Sequence, residues 1–440
     1  MLACAIAVLL YRNALDAPFV FDDGSSVLLN PSLVNPWDLR GILFFNIARP
    51  VLNLSYAVDG ATWGLSSLGF HATNAILHVV VVGLFYGWCT RALTDARSDR
   101  ASAPEWPAFF AAAIFAVHPV MTSTVLYVSA RSELLCAAGM ISALIFARRA
   151  IVASSTAAAV MAFACGAAAV GSSSSAAALP LVVLAYDAWV LQDAGWRQRM
   201  RRLYLPSMAA IALAAAWQLP HVLAADRVPP RGIGANFLGE AVVVCRYVGL
   251  LIYPHAQALV HEVRWAGWRD PAALAASIGG AAVTAALVRA RRARPLPAFG
   301  VVWFLAVLAP SILVPLRDGM TEQREYVAAA GLLLAAVSVL AAPLARMRAV
   351  RAAGAAALVL LTFLTLGRMR VWREPLALWE EAVARSPGAW QAHLGYADQL
   401  RAIHRCDSAR SEYRQVLVLY PAQRDAVIGL DACRSLQPDH

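Results

Sequence analysis

Val301-Val-Trp-Phe-Leu-Ala-Val-Leu-Ala-Pro-Ser-Ile-Leu-Val-Pro-Leu316 carries no charged residue, and the stretch 332–344 repeats that character shortly after it. Such runs recur from end to end: 60% of the 440 residues are hydrophobic and mean hydropathy is +0.59. Apolar segments approaching bilayer length mark a polytopic membrane protein rather than a water-soluble globule. Lipid offers the backbone no hydrogen-bond partners, so segments of this kind satisfy their own amides as helices, and the expected fold class is all-α.

The net charge of +10 rests entirely on arginine, because the chain has no lysine. Abundant alanine and arginine without lysine fit a GC-rich, bacterial coding sequence. Nucleic-acid binding is excluded as the reason for the charge, since the arginines sit in short clusters between apolar spans. Arg91/Arg97/Arg100, Arg148/Arg149, Arg197/Arg199/Arg201/Arg202, Arg289/Arg291/Arg292/Arg294 and Arg346/Arg348/Arg351 all read as cytoplasmic by the positive-inside rule. Between them about eleven spans are expected, near 1–16, 70–90, 106–121, 132–147, 151–170, 176–192, 203–222, 272–288, 297–316, 326–344 and 352–370. The segment 236–254 is apolar too. Counting it as a span would put the 289–294 arginines outside, so it is expected to be an amphipathic helix on the outer interface.

The first span has few apolar residues before Arg12, as expected of a span with a truncated start; it lacks the basic lead and cleavage pattern of a signal peptide. This topology places the loop 17–69, the loop around 317–325 and the chain beyond Arg370 on one extracytoplasmic side. Seven cysteines show no metal spacing; Cys406 and Cys433 could pair in an extracytoplasmic tail, but two free thiols are the expected reading.

Two domains are expected, 1–372 in the membrane and 373–440 outside it. In the second, Trp379-Glu-Glu-Ala-Val-Ala-Arg-Ser-Pro387 aligns with Tyr413-Arg-Gln-Val-Leu-Val-Leu-Tyr-Pro421 at an offset of 34, and Ala392, Leu394 and Gly395 align with Ala426, Ile428 and Gly429. That period is the tetratricopeptide repeat. About two repeats are present, fewer than the roughly three that usually stand alone, so they are expected to lean on the membrane domain.

Phe19-Val-Phe-Asp-Asp-Gly24 places Asp22 and Asp23 just outside the first span. Paired carboxylates there suit a general base with a supporting partner, or a divalent cation; an ordinary Asp-Asp-Gly turn is the plain alternative. Other polar residues gather at outer span ends: Arg49, His71, Asn74, His78, His118, Arg131, Glu133 and Glu322-Gln-Arg324-Glu-Tyr326. His71, Asn74 and His78 share one helix face but form no metal set, and hydrogen bonding between helices explains them better. Arg131 and Arg324 have the geometry to hold a lipid-linked phosphate, with Glu133 and Glu322 as ion-pair partners.

In order along the chain, Phe19-Val-Phe-Asp-Asp23, Asn30-Pro31, Arg49-Pro50, Trp63-Gly64-Leu65, Gly69-Phe-His71, Phe115-Ala-Val-His-Pro119, Tyr127-Val-Ser-Ala-Arg131-Ser-Glu133, Leu179-Pro180, Tyr186-Asp187 and Glu322-Gln-Arg324-Glu-Tyr326 resemble the transmembrane and tetratricopeptide-repeat O-mannosyltransferases and their bacterial relatives. The resemblance implies a GT-C bundle that transfers a sugar from a polyprenyl-phosphate carrier to a Ser/Thr hydroxyl of an extracytoplasmic protein, with inversion. It implies a bacterial inner-membrane enzyme whose active site and repeats face the periplasm, the repeats engaging the acceptor. One of Asp22 and Asp23 would be the base, Arg131 and Arg324 would bind the donor phosphate, and His118 and Tyr326 would orient. One departure stands out: the Lys-Glu pair of the family falls on Ser173 and Ser174. That favours a rival reading, a catalytically impaired scaffold whose repeats bind envelope proteins. A transporter is a third reading, for which no inverted internal repeat is found.

Overall fold

The computed structural model describes residues 2–96, 104–226, 232–263, 265, 267–316 and 318–435; Arg97 and Arg100 of the first arginine cluster lie outside them. Among the described residues there are helices and no strands. In chain order the larger ones are α1 (Leu2–Tyr11), α2 (Ser67–Asp95), α3 (Glu105–Val117), α4 (Arg131–Val152), α5 (Thr156–Val170), α6 (Leu179–Tyr186), α7 (Leu205–Asp226), α8 (Ile233–Ile252), α9 (Pro271–Arg289), α10 (Pro295–Leu313), α11 (Glu325–Val339) and α12 (Arg348–Arg373). The tail adds α13 (Pro375–Arg385), α14 (Trp390–Ala402), α15 (Cys406–Leu419) and α16 (Arg424–Ser435). The chain is an all-α polytopic membrane protein.

Among the described residues, seven helices are long and apolar enough to cross a membrane: Ser67–Asp95, Val128–Val152, Ser174–Leu191, Gly234–Ile252, Pro271–Arg292, Pro295–Leu313 and Arg348–Arg373. Length and composition therefore support fewer spans than the eleven expected. Leu2–Ala14, Glu105–Val117 and Thr156–Val170 are apolar but short. At ~1.5 Å per residue they fall well below the ~30 Å hydrocarbon thickness. The stretch 326–344 breaks at Leu340, after which a separate helix, Ala341–Arg346, begins with Pro343 in its first turn.

The bundle closes around aromatic and small side chains. Trp88 packs on Tyr186 with ring centroids 4.6 Å apart, and Phe299 meets Trp303 edge-on at 5.7 Å. Where α10 crosses α11, a Cβ on Gly300 would fall 2.2 Å from the Gly331 carbonyl oxygen, so the crossing requires glycine.

α8 is long enough to cross, yet both its ends are tied to the end of the bundle where α3 and α10 finish. Asn236 Nδ2 donates to Ile312 O at 2.9 Å, while His118 Nε2 lies 3.1 Å from Leu251 O and Tyr247 Oη donates to Thr321 O at 2.9 Å.

In the tail one packing unit occurs twice. Gly395 of α14 lies against the Trp379 ring of α13, and Gly429 of α16 lies against Tyr413 of α15. Cys406 and Cys433 are free, buried thiols in this small core. The first hairpin docks on the bundle: Arg368 of α12 pairs with Glu381, Arg385 donates to Gln257 O, Ser386 Oγ donates to Val260 O at 2.9 Å and Gln391 Nε2 donates to Asp318 Oδ1 at 3.2 Å.

Candidate active site

The acid loop, the 253–263 segment, the Thr321–Arg324 turn and the tail meet at one end of the bundle. The acid loop is shaped by its own backbone. Phe21 has φ of 51°, a left-handed conformation that costs a non-glycine residue roughly 1–2 kcal/mol. Its ring is wedged against Trp379 at 5.6 Å and Tyr127 at 6.2 Å, contacts that offset the strain.

That kink gives the two aspartates different environments. Asp23 is fully buried: its Oδ1 accepts Ser129 N and Ser129 Oγ, both at 2.7 Å, and its Oδ2 accepts Val20 N at 3.1 Å. Asp22 is exposed and accepts Tyr127 Oη at 3.0 Å. Asp23 therefore ties the loop to the 128–130 turn, and Asp22 presents a carboxylate to the surface.

Burial pushes the Asp23 carboxyl up to about 6, outweighing the hydrogen bonds from Ser129 and Val20 that pull it down. The folded state then holds a proton that the unfolded chain, near 3.9, has released. Stability from this group is greatest below pH ~4 and is lost as pH rises through about 6, on the order of 2–3 kcal/mol in total. Thermal unfolding in detergent between pH 4 and 7 should show that fall in the wild type, and Asp23→Asn should flatten it.

Arg131 is wholly buried at the start of α4. It pairs with Asp59 at 2.6 Å, donates to Asn74 Oδ1 at 2.6 Å and Phe70 O at 2.9 Å, and lies over the Tyr56 and Phe70 rings. A guanidinium committed in this way has no face left for a phosphate, so the donor-binding role expected of Arg131 does not fit. Its ion-pair partner is Asp59, not Glu133.

Glu322 is likewise engaged elsewhere, accepting Ala258 N at 2.6 Å, Gln257 Nε2 at 3.1 Å and lying 3.0 Å from His261 Nε2. Burial raises its carboxyl, but the hydrogen bonds from His261 and Gln257 and the charges of His261 and Arg368 together reverse this and hold it below the usual range. Glu322 anchors the 253–263 segment beneath the tail.

The histidines and Tyr326 lie in the interior behind the acid loop, with the His71 ring 6.3 Å from Phe19. His71 bridges Ser67 O at 2.8 Å and Leu126 O at 3.0 Å, and His78 bridges Tyr326 Oη at 2.7 Å and Ala116 O at 3.2 Å. His118 ties α3 to α8 through Leu251. All four side chains are buried, and His118 and Tyr326 spend their polar atoms on partners in neighbouring helices.

What remains near the surface is cationic. Arg49 is exposed, Arg324 is half-buried with one long bond to Gly319 O at 3.5 Å, and the charges of both act on the Glu133 carboxyl. Glu133 Oε1 accepts Ser173 Oγ at 2.6 Å, while among the described residues its buried Oε2 has no hydrogen-bond partner. Among the described residues no group of three or more His, Cys, Asp and Glu is arranged to hold a metal ion. Asp23 spends both its oxygens on protein donors.

Sequence reasoning missed Asp59, Ser129, Tyr127, Gln257 and His261 as members of this end of the bundle. Tyr127 and Ser129 stand in the quoted Tyr127–Glu133 run. Asp59, a lone acid in an otherwise apolar helix, was a readable signal of a buried partner.

The chain is 30% identical over 146 residues to Protein O-mannosyl-transferase TMTC2 of Mus musculus, covering 30% of this chain and 16% of that protein. It is 29% identical over 161 residues to Protein O-mannosyl-transferase Tmtc1 of Drosophila melanogaster, covering 33% and 18%. With Protein O-mannosyl-transferase TMTC3 of Mus musculus it shares 30% over 156 residues, covering 32% and 16%. The matches thus span less than a fifth of these relatives' length. No family model matches the chain, and no solved structure is significantly similar to it. Over about a third of its length, the chain is similar to the TMTC protein O-mannosyl-transferases.

Proposed function

We propose that the chain is a membrane glycosyltransferase of the GT-C kind. It moves a sugar from a polyprenyl-phosphate donor to a serine or threonine hydroxyl of an extracytoplasmic protein, with inversion. The observation that carries this reading is the division of labour in the acid pair, in which Asp23 is spent on the fold and Asp22 is held at the surface by Tyr127.

Asp22 acts as the general base. As the acceptor oxygen bonds to the anomeric carbon, the bond from that carbon to the phosphate oxygen breaks, its electron pair leaves with the phosphate, and the hydroxyl proton passes to Asp22. The leaving phosphate needs charge stabilisation more than protonation, and Arg324 with Arg49 supplies it. The arginine clusters argue that this end of the bundle faces away from the cytoplasm, in a bacterial plasma membrane, with the tail beside the acceptor's approach.

The test is transfer by the full chain in liposomes, from a polyprenyl-phosphate hexose to a Ser/Thr peptide, with the anomeric configuration of the product read by NMR. A retained configuration rules the mechanism out.

The impaired-scaffold reading has one observation in its favour, the unpartnered Glu133 Oε2 beside Ser173. Ser173→Lys separates the two. An active wild type should change little or lose activity, because its site is complete without lysine. A rise of about tenfold or more, worth ~1.4 kcal/mol, identifies the wild type as impaired.

A further inference from the structure

At the other end of α6 and α10 from the acid loop lies a cavity of about 620 Å³ that the proposed reaction does not use. Among the described residues three guanidinium groups line it, Arg197, Arg291 and Arg292, and no carboxylate does; one nitrogen of Arg291 donates to Val288 O at 2.8 Å. Two indoles complete its polar rim: Arg197 stacks over Trp196 at 5.6 Å and Arg291 over Trp189 at 5.9 Å. Leu181 and Val302 form apolar wall further along the helices.

The surrounding charges explain why these arginines are available. Asp95 is taken by Arg148 at 2.5 Å, and Asp187 and Asp193 are both taken by Arg199, at 2.7 and 2.6 Å. Among the described residues no ion pair reaches Arg197, Arg291 or Arg292. The same Asp187–Arg199 pair, with Tyr204 Oη 2.9 Å from Asp187, braces the turn that carries Trp196 and Arg197 over the cavity. Gln192, left-handed at φ 53°, starts that turn.

We propose that this cavity binds one anionic phospholipid, its phosphate on the three arginines and an acyl chain along Leu181 and Val302. Guanidiniums that no carboxylate among the described residues neutralises match a phosphate ester, indoles sit well at the headgroup level, and the apolar wall continues into the helix surface. A free phosphate would use the arginines but leave that wall uncovered. The inference does not rest on the glycosyltransferase reading.

The test uses native mass spectrometry of the delipidated full chain with added dioleoyl phosphatidylglycerol, dioleoyl phosphatidylcholine or inorganic phosphate. One phosphatidylglycerol should bind at least tenfold more tightly than phosphatidylcholine, and the triple variant Arg197→Gln, Arg291→Gln, Arg292→Gln should lose that preference. Equal retention of both lipids, an unchanged triple variant, or displacement of the lipid by millimolar inorganic phosphate overturns the proposal. Should the triple variant not fold, quenching of tryptophan emission by brominated-acyl phosphatidylglycerol decides instead. It should fall clearly in Trp189→Phe, Trp196→Phe, and quenching that is absent from the wild type or unchanged in that variant overturns the proposal equally.

Discussion

Replacing Asp22 by asparagine should lower sugar transfer by about 10²- to 10⁴-fold, the range that a positioned general base contributes. The protein should still fold, because Asp22 is exposed and an amide oxygen can accept the same Tyr127 hydrogen bond. Stability should then move by no more than about 0.5 kcal/mol. Asp23→Asn is the informative comparison. An asparagine oxygen still accepts the two Ser129 donors but places an NH₂ where Val20 N now donates, so the loop loosens and transfer falls by only about tenfold. The measurement is initial transfer rate with donor binding followed separately. If Asp23→Asn is dead and Asp22→Asn is active, the assignment of base and support is reversed.

Arg131→Met should cost about 3–5 kcal/mol of stability, because it leaves Asp59 buried without its cation. Thr73 Oγ1 would still donate to Asp59 at 2.7 Å, which compensates a charge poorly. The double change Arg131→Met, Asp59→Leu should recover much of that loss, since replacing both members of a buried pair by apolar groups is often close to neutral. Unfolding in detergent checks both variants against the wild type. The experiment also separates the two roles considered for Arg131: a phosphate ligand would show as weaker donor binding in a stable protein, with no recovery in the double variant.

The helical, membrane-spanning character was readable because it depends on local composition: an apolar run such as 301–316 has no other way to satisfy its backbone in lipid. The number of spans was less so, since helices like Glu105–Val117 are apolar because protein covers them, and composition does not distinguish protein from lipid. The acid loop was visible as a motif. Which aspartate faces out was not, as that depends on the Phe21 backbone and on Ser129, far along the chain. Arg131 illustrates the same limit: its type and place near a span end suit a phosphate, and only the folded chain brings Asp59, Asn74 and Phe70 around it. The histidines were read from their helix-face spacing as hydrogen-bonding groups rather than metal ligands, and His71 and His78 do bridge to backbone and hydroxyl partners.

The docking of the first tail hairpin bears on how such proteins diversify. Trp379 holds Phe21, Arg385 and Ser386 hold the 253–263 segment, and Gln391 holds Asp318, so this hairpin is a wall of the membrane unit rather than a detachable module. A repeat array exchanged between relatives at residue 373 would strip the acid loop of its brace. A viable recombination junction lies after α14, beyond which the described helices pack into the tail's own core, so lengthening or swapping of repeats has a natural seam there.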